Sequence, residues 1–121
     1  MADWQAVGRE DMLAMGEMRG LSVSGKRLLL VRLDDGYHAY QERCPHLKAH
    51  LARGRLEEGA IVCPWHGSRF DARTGKNLRW VPAWPSALVS LSKWIRPAQG
   101  LQSYPLKVED GRIWVDVESI P

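Results

Sequence analysis

The chain has 121 residues but only two cysteines, Cys44 and Cys63. No stretch of it approaches the roughly 18 consecutive apolar residues needed to span a bilayer. The opening run MADWQAVGRED brings in charge early and has no apolar signal-peptide core. The net charge of +3 is too small to argue for a nucleic-acid partner. These scarcities disfavour a membrane protein, an exported protein and a polyanion binder. They leave a soluble, cytoplasmic chain forming one domain over residues 1–121, long enough to bury a core.

What charge there is lies unevenly. Residues 43–97 hold ten of the seventeen Lys and Arg but only Glu57, Glu58 and Asp71 of the fourteen acidic residues, a net +7 against −4 for the rest. A basic segment of this kind steers toward acidic partners, or is simply a solvated face.

Within that segment lie the residues with the most distinctive chemistry. Cys44 and His46 sit in RCPHL, and Cys63 and His66 sit in VCPWHGSRF, with sixteen residues between His46 and Cys63. Each loop offers one thiolate and one imidazole, donors suited to soft and borderline metals. Iron–sulfur sites commonly take four thiolates, but Rieske centres replace two of them by histidine on one iron. The spacing C-x-H, sixteen residues, C-x-x-H therefore reads as a [2Fe–2S] site with Cys44 and Cys63 on one iron and His46 and His66 on the other. Zinc takes the same four donors tetrahedrally. Zinc fingers, however, usually group Cys with Cys and His with His, whereas each loop here is mixed.

The runs CPH and CPWHGSRFDARTG, followed by YPLKVEDGRIWV, resemble the soluble Rieske-type ferredoxins over roughly residues 3–117. That resemblance implies an all-β Rieske-type fold: a small antiparallel barrel or sandwich with an inserted cluster-binding subdomain, about 43–82. It implies a one-electron carrier, not an enzyme in its own right, taking electrons from an NAD(P)H-dependent flavoprotein reductase and delivering them to a terminal oxygenase. In the family the two histidines lie at the surface, so His46 and His66 would face the partners. Respiratory relatives carry a further Cys in each loop, joined as a disulfide. Ala49 and Trp65 stand there here, so no disulfide is expected, as suits a reducing compartment. A Ser matching Ser68 donates a hydrogen bond toward the cluster in those relatives, while their nearby Tyr is Phe70 here. Family members commonly have Gly where this chain has Lys48. An accessory subunit of a reductase such as assimilatory nitrite reductase is the alternative, although such subunits often lose ligands that are all present here.

Along the chain, short strands are expected at Trp4–Val7, Met18–Val23, Arg27–Leu33 and Tyr37–Gln41, the last two joined by an Asp-Gly hairpin signal at Asp34-Asp35-Gly36. His38 and His50 fall at no ligand position of the family. Pro45 stiffens the first loop, and Leu47 and Leu51 are expected to shield the cluster. Gly54 to Gly59 reads as a turn, and Ala60 to Cys63 as the strand that delivers the second loop. At Gly67 the backbone is expected to approach the cluster closely. A strand then begins at Phe70-Asp71, and Arg73 to Lys76 turns it. Pro82-Ala83 matches a third loop over the cluster. An insertion, about 84–100, places Trp84, Leu88, Leu91 and Ile95 at helical spacing, so one short helix near 86–95 is expected, packed on the barrel or used for docking. Tyr104–Glu109 and Arg112–Val117 close as a hairpin whose apolar residues alternate, with Trp114 on the opposite face and partly exposed.

Overall fold

The computed structural model describes residues 2–45, 49–64, 67–79 and 100–121. Eleven strands appear among them: β1 (Trp4–Arg9), β2 (Met18–Val23), β3 (Lys26–Leu33), β4 (Gly36–Tyr40), β5 (Arg55–Glu57), β6 (Ala60–Val62), β7 (Arg69–Asp71), β8 (Asn77–Arg79), β9 (Ser103–Tyr104), β10 (Leu106–Glu109) and β11 (Arg112–Asp116). They form three antiparallel sheets, ordered β1-β11-β10, β2-β3-β4-β9 and β5-β6-β7-β8. The helical elements among the described residues are two single 3-10 turns, Leu51–Arg53 and Val117–Ser119. The expected helix near 86–95, Pro82-Ala83 and most of the 84–100 insertion lie outside the described residues.

Three hairpins turn on the same chemistry. Ser24-Gly25, Glu58-Gly59 and Asp110-Gly111 each place two consecutive residues at positive φ, 51° and 76°, 50° and 77°, and 55° and 72°. Two-residue loops of this hand match the right-handed twist of the strands they join. The β3–β4 hairpin differs from its expected form. It closes on the pair Leu33↔Gly36, so Asp34-Asp35 is the loop and Gly36, at φ 123°, is already in the strand.

β3 is the spine. Its side chains alternate between two cores, as a pleated strand requires. Leu28 and Leu30 face one core with Leu13, Ala39, Tyr104, Ile113, Val115, Val117 and Ile120. Leu29, Val31 and Leu33 face the other, with Tyr40, Cys44, Leu51, Ile61, Cys63, Phe70, Ala72 and Leu101. The first core lies where the β1-β11-β10 sheet covers β2-β3-β4-β9, with β1 against β2 and β10 against β4. The second lies beneath the β5–β8 sheet and its loops.

That sheet is inserted between neighbours. β9 pairs directly with β4 (Ala39↔Tyr104, Tyr40↔Ser103), although some sixty residues separate them along the chain. Gln41 and Gln102 close the seam: the Gln41 N–H donates to the Gln102 carbonyl at 2.9 Å, and the Gln102 N–H to Gln41 Oε1 at 2.8 Å. The expected strand from Tyr104 to Glu109 is therefore two strands in two sheets. Pro105, which has no N–H to donate, stands at the crossing, and its carbonyl accepts from the Asp116 N–H at 3.2 Å. Gly54 to Gly59 is likewise not all turn, because Arg55–Glu57 forms β5 and only Glu58-Gly59 reverses the chain. In the closing hairpin Ile113 and Val115 are buried, but Val108 is 41% exposed because β10 is an edge strand. Trp114 is half-buried, as expected.

Tyr40 joins the two levels of the molecule. It is buried in the second core, and its hydroxyl donates to the Ala72 carbonyl at 2.7 Å, tying β4 to the end of β7. Burial, with Asp71 and Asp35 nearby, pushes its pKa up to about 12 from 10.0. The folded protein thus holds this proton through a pH range in which the unfolded chain releases it, so stability is complete below the unfolded pKa and is lost as pH rises toward the folded one. Urea unfolding of the wild type should weaken between pH 10 and 12, and Tyr40→Phe should make that decline shallower. Superimposable slopes would dismiss the role.

Candidate metal centre

Cys44 and Cys63 arrive in one core from two loops built alike. In each, the cysteine N–H donates to the carbonyl five residues on: Cys44 to Ala49 at 2.8 Å and Cys63 to Ser68 at 2.9 Å. The first loop is closed further by an isolated bridge, Arg43↔His50, and by the Leu51 N–H donating to the Glu42 carbonyl at 2.8 Å. The second closes with the Gly67 N–H donating to the Cys63 carbonyl at 3.2 Å. Gly67 adopts φ 72° and a Cβ there would meet no atom of the described residues, so the backbone conformation itself calls for glycine.

Both cysteines are buried and neither is in a disulfide. They share their core with Leu29, Leu51, Ile61 and Phe70, all at zero exposure. Leu51, expected to shield the cluster, is buried in the core that holds both cysteines. Ser68 is also fully buried, at the base of the second loop. Two buried thiols, from two loops with the same internal hydrogen bond, are the donor chemistry an iron–sulfur group needs. Among the described residues no three or more His, Cys, Asp and Glu side chains gather to hold a metal ion. For a metal at Cys44 and Cys63 the sequence offers His46 and His66 as candidate further donors. Those two histidines, Leu47, Lys48 and Trp65 lie outside the described residues.

The other two histidines are engaged differently. His38 Nε2 lies 2.9 Å from Asp35 Oδ1, and its ring stacks on Tyr40 with centroids 6.2 Å apart. His50 Nδ1 lies 2.6 Å from Oε1 of Glu42, a carboxylate with no side-chain exposure at all. Sequence reading missed Glu42. A glutamate two residues before a cysteine carries no sign of burial, which arises only when β2, β3 and the first loop close over it.

Charged pairs hold the inserted sheet in place. Arg73 on the β7–β8 turn pairs with Asp34 at 2.6 Å and Asp35 at 3.2 Å, reaching the β3–β4 hairpin. Those acids hold the Arg73 guanidinium above its ordinary pKa, chiefly through the Asp34 hydrogen bond. The His38 hydrogen bond, followed by lesser contributions from His38 and Arg73 charge, keeps the Asp35 carboxyl below the usual carboxylate range. Glu57 takes hydrogen bonds from Arg55 and from Arg69 at 3.3 Å, and these, Arg55 first, lower its pKa too. Arg55 and Arg69 lie in one cross-strand row with Val62 between them, immediately beside Cys63.

The fold and its paired loops define a small all-β protein that presents two matched cysteine loops from a sheet inserted in a β-barrel-like base. The chain belongs to the Rieske [2Fe-2S] domain family, whose model matches residues 3–105. Its cofactor is accordingly a Rieske [2Fe–2S] cluster. It is 34% identical over 113 residues to the ferredoxin component of the naphthalene 1,2-dioxygenase system of Pseudomonas putida, covering 93% of each chain. It is also 34% identical to the ferredoxin component of the alkene monooxygenase system of Xanthobacter autotrophicus, covering 92% of this chain and 79% of that one. Among solved structures, the ferredoxin of carbazole 1,9a-dioxygenase from Nocardioides aromaticivorans superposes with a TM-score of 0.72 at 26% identity, covering 94% of this chain and 97% of that one. A chain from the complex of reduced oxygenase and oxidised ferredoxin of carbazole 1,9a-dioxygenase matches with a TM-score of 0.70 at 25% identity, covering 92% and 99%. No helix among the described residues is long and apolar enough to cross a membrane.

Gly54 sets the spacing between the two loops. Its N–H donates to Leu51 at 3.0 Å, and a Cβ on it would overlap the Val62 carbonyl oxygen, one residue before Cys63. Gly54→Ala should lower the unfolding free energy by about 2 kcal/mol or more, measured by urea denaturation, and reduce the iron retained per chain. An unchanged midpoint would show that the loops tolerate separation.

Proposed function

We propose that this chain is a Rieske ferredoxin: a cytoplasmic one-electron carrier between an NAD(P)H-dependent flavoprotein reductase and a terminal oxygenase. One observation carries the reading: the two matched loops bring Cys44 and Cys63, buried and unbridged, into one core. In this reading Cys44 and Cys63 hold one iron, His46 and His66 hold the other, and residues of about 43–82 form the cluster-binding subdomain. Bound there, the cluster supplies reversible storage of a single electron.

The chain's own contribution is to hold, shield and tune. Leu51, Ile61 and Phe70 keep water from the thiolates, and low local polarity bears on a cluster's potential. Ser68 is fully buried at the base of the second loop, and a hydrogen bond from its hydroxyl toward sulfur would raise the potential. With Phe70 where respiratory relatives have Tyr, only one of two such donors remains, so a potential toward the low end of the Rieske range follows. The ferredoxin components of naphthalene dioxygenase and alkene monooxygenase systems are relatives along nearly the whole of this chain, which supports a terminal oxygenase as electron acceptor. The accessory-subunit and zinc-module readings have no observation in their favour.

The reduced protein should show a rhombic mixed-ligand EPR signal with a midpoint near −150 mV, at the low end of the range. Cys44→Ser, Cys63→Ser, His46→Ala and His66→Ala should each abolish it. Zinc in place of iron in the purified wild type would overturn the reading.

Partner attraction is electrostatic in this account. Arg43, Arg53 and Arg55 are exposed around the two loops, and Glu57 is the acid set among them on β5. Oxidation of the reduced protein by ferricyanide, an anionic probe, should slow as salt rises, and Arg53→Glu should slow it roughly two- to fivefold at low salt. Hexaamminecobalt(III), a cationic probe, should respond in the opposite sense. Equal salt responses for both probes would refute the steering.

A further inference from the structure

Glu42 is the one charged side chain buried among the described residues. Its Oε1 accepts hydrogen bonds from Arg27 Nη2 at 3.2 Å and Nε at 3.4 Å, and lies 2.6 Å from His50 Nδ1. Its Oε2 is buried with no hydrogen-bond partner among the described residues. Room for the group is made on β2, where a Cβ at Gly20 would stand 2.9 Å from Arg27 Nη2 and 3.6 Å from Glu42 Cγ. The cluster thus joins three parts of the molecule: β3 through Arg27, the start of the first loop through Glu42, and the end of that loop through His50.

Stability does not account for such an arrangement. Desolvating a carboxylate costs several kcal/mol, and a buried ion pair returns that only with excellent geometry and every lone pair satisfied. Here Oε2 has no partner among the described residues. Position accounts for it better. Glu42 is tied to the far end of the loop twice, by its backbone carbonyl to the Leu51 N–H and by its side chain to His50. In sequence, Cys44 and His46 fall between those ties. Two residues of chain reach no more than about 7 Å, so the Glu42 backbone lies close to Cys44. The Glu42 carboxylate, carried on that backbone and with no side-chain exposure, acts electrostatically on a redox group held by that cysteine.

We propose that Glu42 is a positioning residue for the first cluster loop, and that the Arg27–Glu42 charge pair sets the potential of the group bound there. The inference rests on the assignment of Cys44 as a ligand. Glu42 disfavours an added electron, and Arg27 offsets it. Removing either one therefore shifts the potential in a sense fixed by the charge removed. A purely structural contact has no such opposition of sign.

The test is an EPR-monitored redox titration of the full-length, iron-loaded protein and its variants at pH 7, with iron content measured alongside. Glu42→Gln keeps the size and an acceptor oxygen but loses the charge, and its midpoint should rise. Arg27→Gln leaves the carboxylate uncompensated, and its midpoint should fall, while Arg27→Lys should return it toward the wild-type value. Arg27 is half exposed, so its two variants provide the measurement even if Glu42→Gln fails to fold. Shifts of the same sign in the Glu42 and Arg27 variants, or an unmoved midpoint in Arg27→Gln with iron content intact, would overturn the proposal. A wild type without a rhombic signal would overturn the ligand assignment and this inference together. A normal wild type with unshifted variants overturns only the inference.

Discussion

A single strand with two buried faces organises this molecule. Because successive side chains of β3 point to opposite sides, Leu28 and Leu30 serve the core under β1-β11-β10 while Leu29, Val31 and Leu33 serve the core under the inserted sheet. Both halves are thereby built on one backbone, and its position fixes theirs. The hydrophobic run LLLV is longer than a strand with one wet face needs, and the second core is the reason.

The inserted sheet depends on that platform in a second way. Its two ends leave and rejoin the base at adjacent positions on β4 and β9, where Gln41 and Gln102 exchange hydrogen bonds. Tyr40 and Arg73 add ties from below and from the side, one apolar with a polar tip and the other ionic. The loops carrying Cys44 and Cys63 stand over this base with matching internal hydrogen bonds. A carrier of single electrons benefits from such rigidity, because a ligand set that moves little between two charge states has little to reorganise on transfer.

Electrostatics works at two depths. At the surface, arginines surround the loops and Glu57 restrains two of them, a pattern suited to encounter with an acidic face and weakened by salt. Inside, the fully buried Glu42 carboxylate stands at the start of the first loop, and the half-exposed Arg27 guanidinium pairs with it from the solvent side.

The Cys/His motif needed no fold to be seen, since C-x-H and C-x-x-H are local patterns whose donor chemistry is set by residue type. The Ser24-Gly25, Glu58-Gly59 and Asp110-Gly111 reversals have the same local character, although Glu58-Gly59 was hidden within what reads as a longer turn. Burial and pairing partners are not local. That β9 joins β4, that Pro105 parts one apparent strand into two sheets, and that Val108 sits exposed on an edge follow from which strands meet across the chain. Glu42 is the sharpest case. Sequence determined that a carboxylate stands two residues before Cys44; only tertiary structure decided that it is buried between Arg27 and His50, because desolvation is a property of the whole assembled interior and not of any stretch of chain.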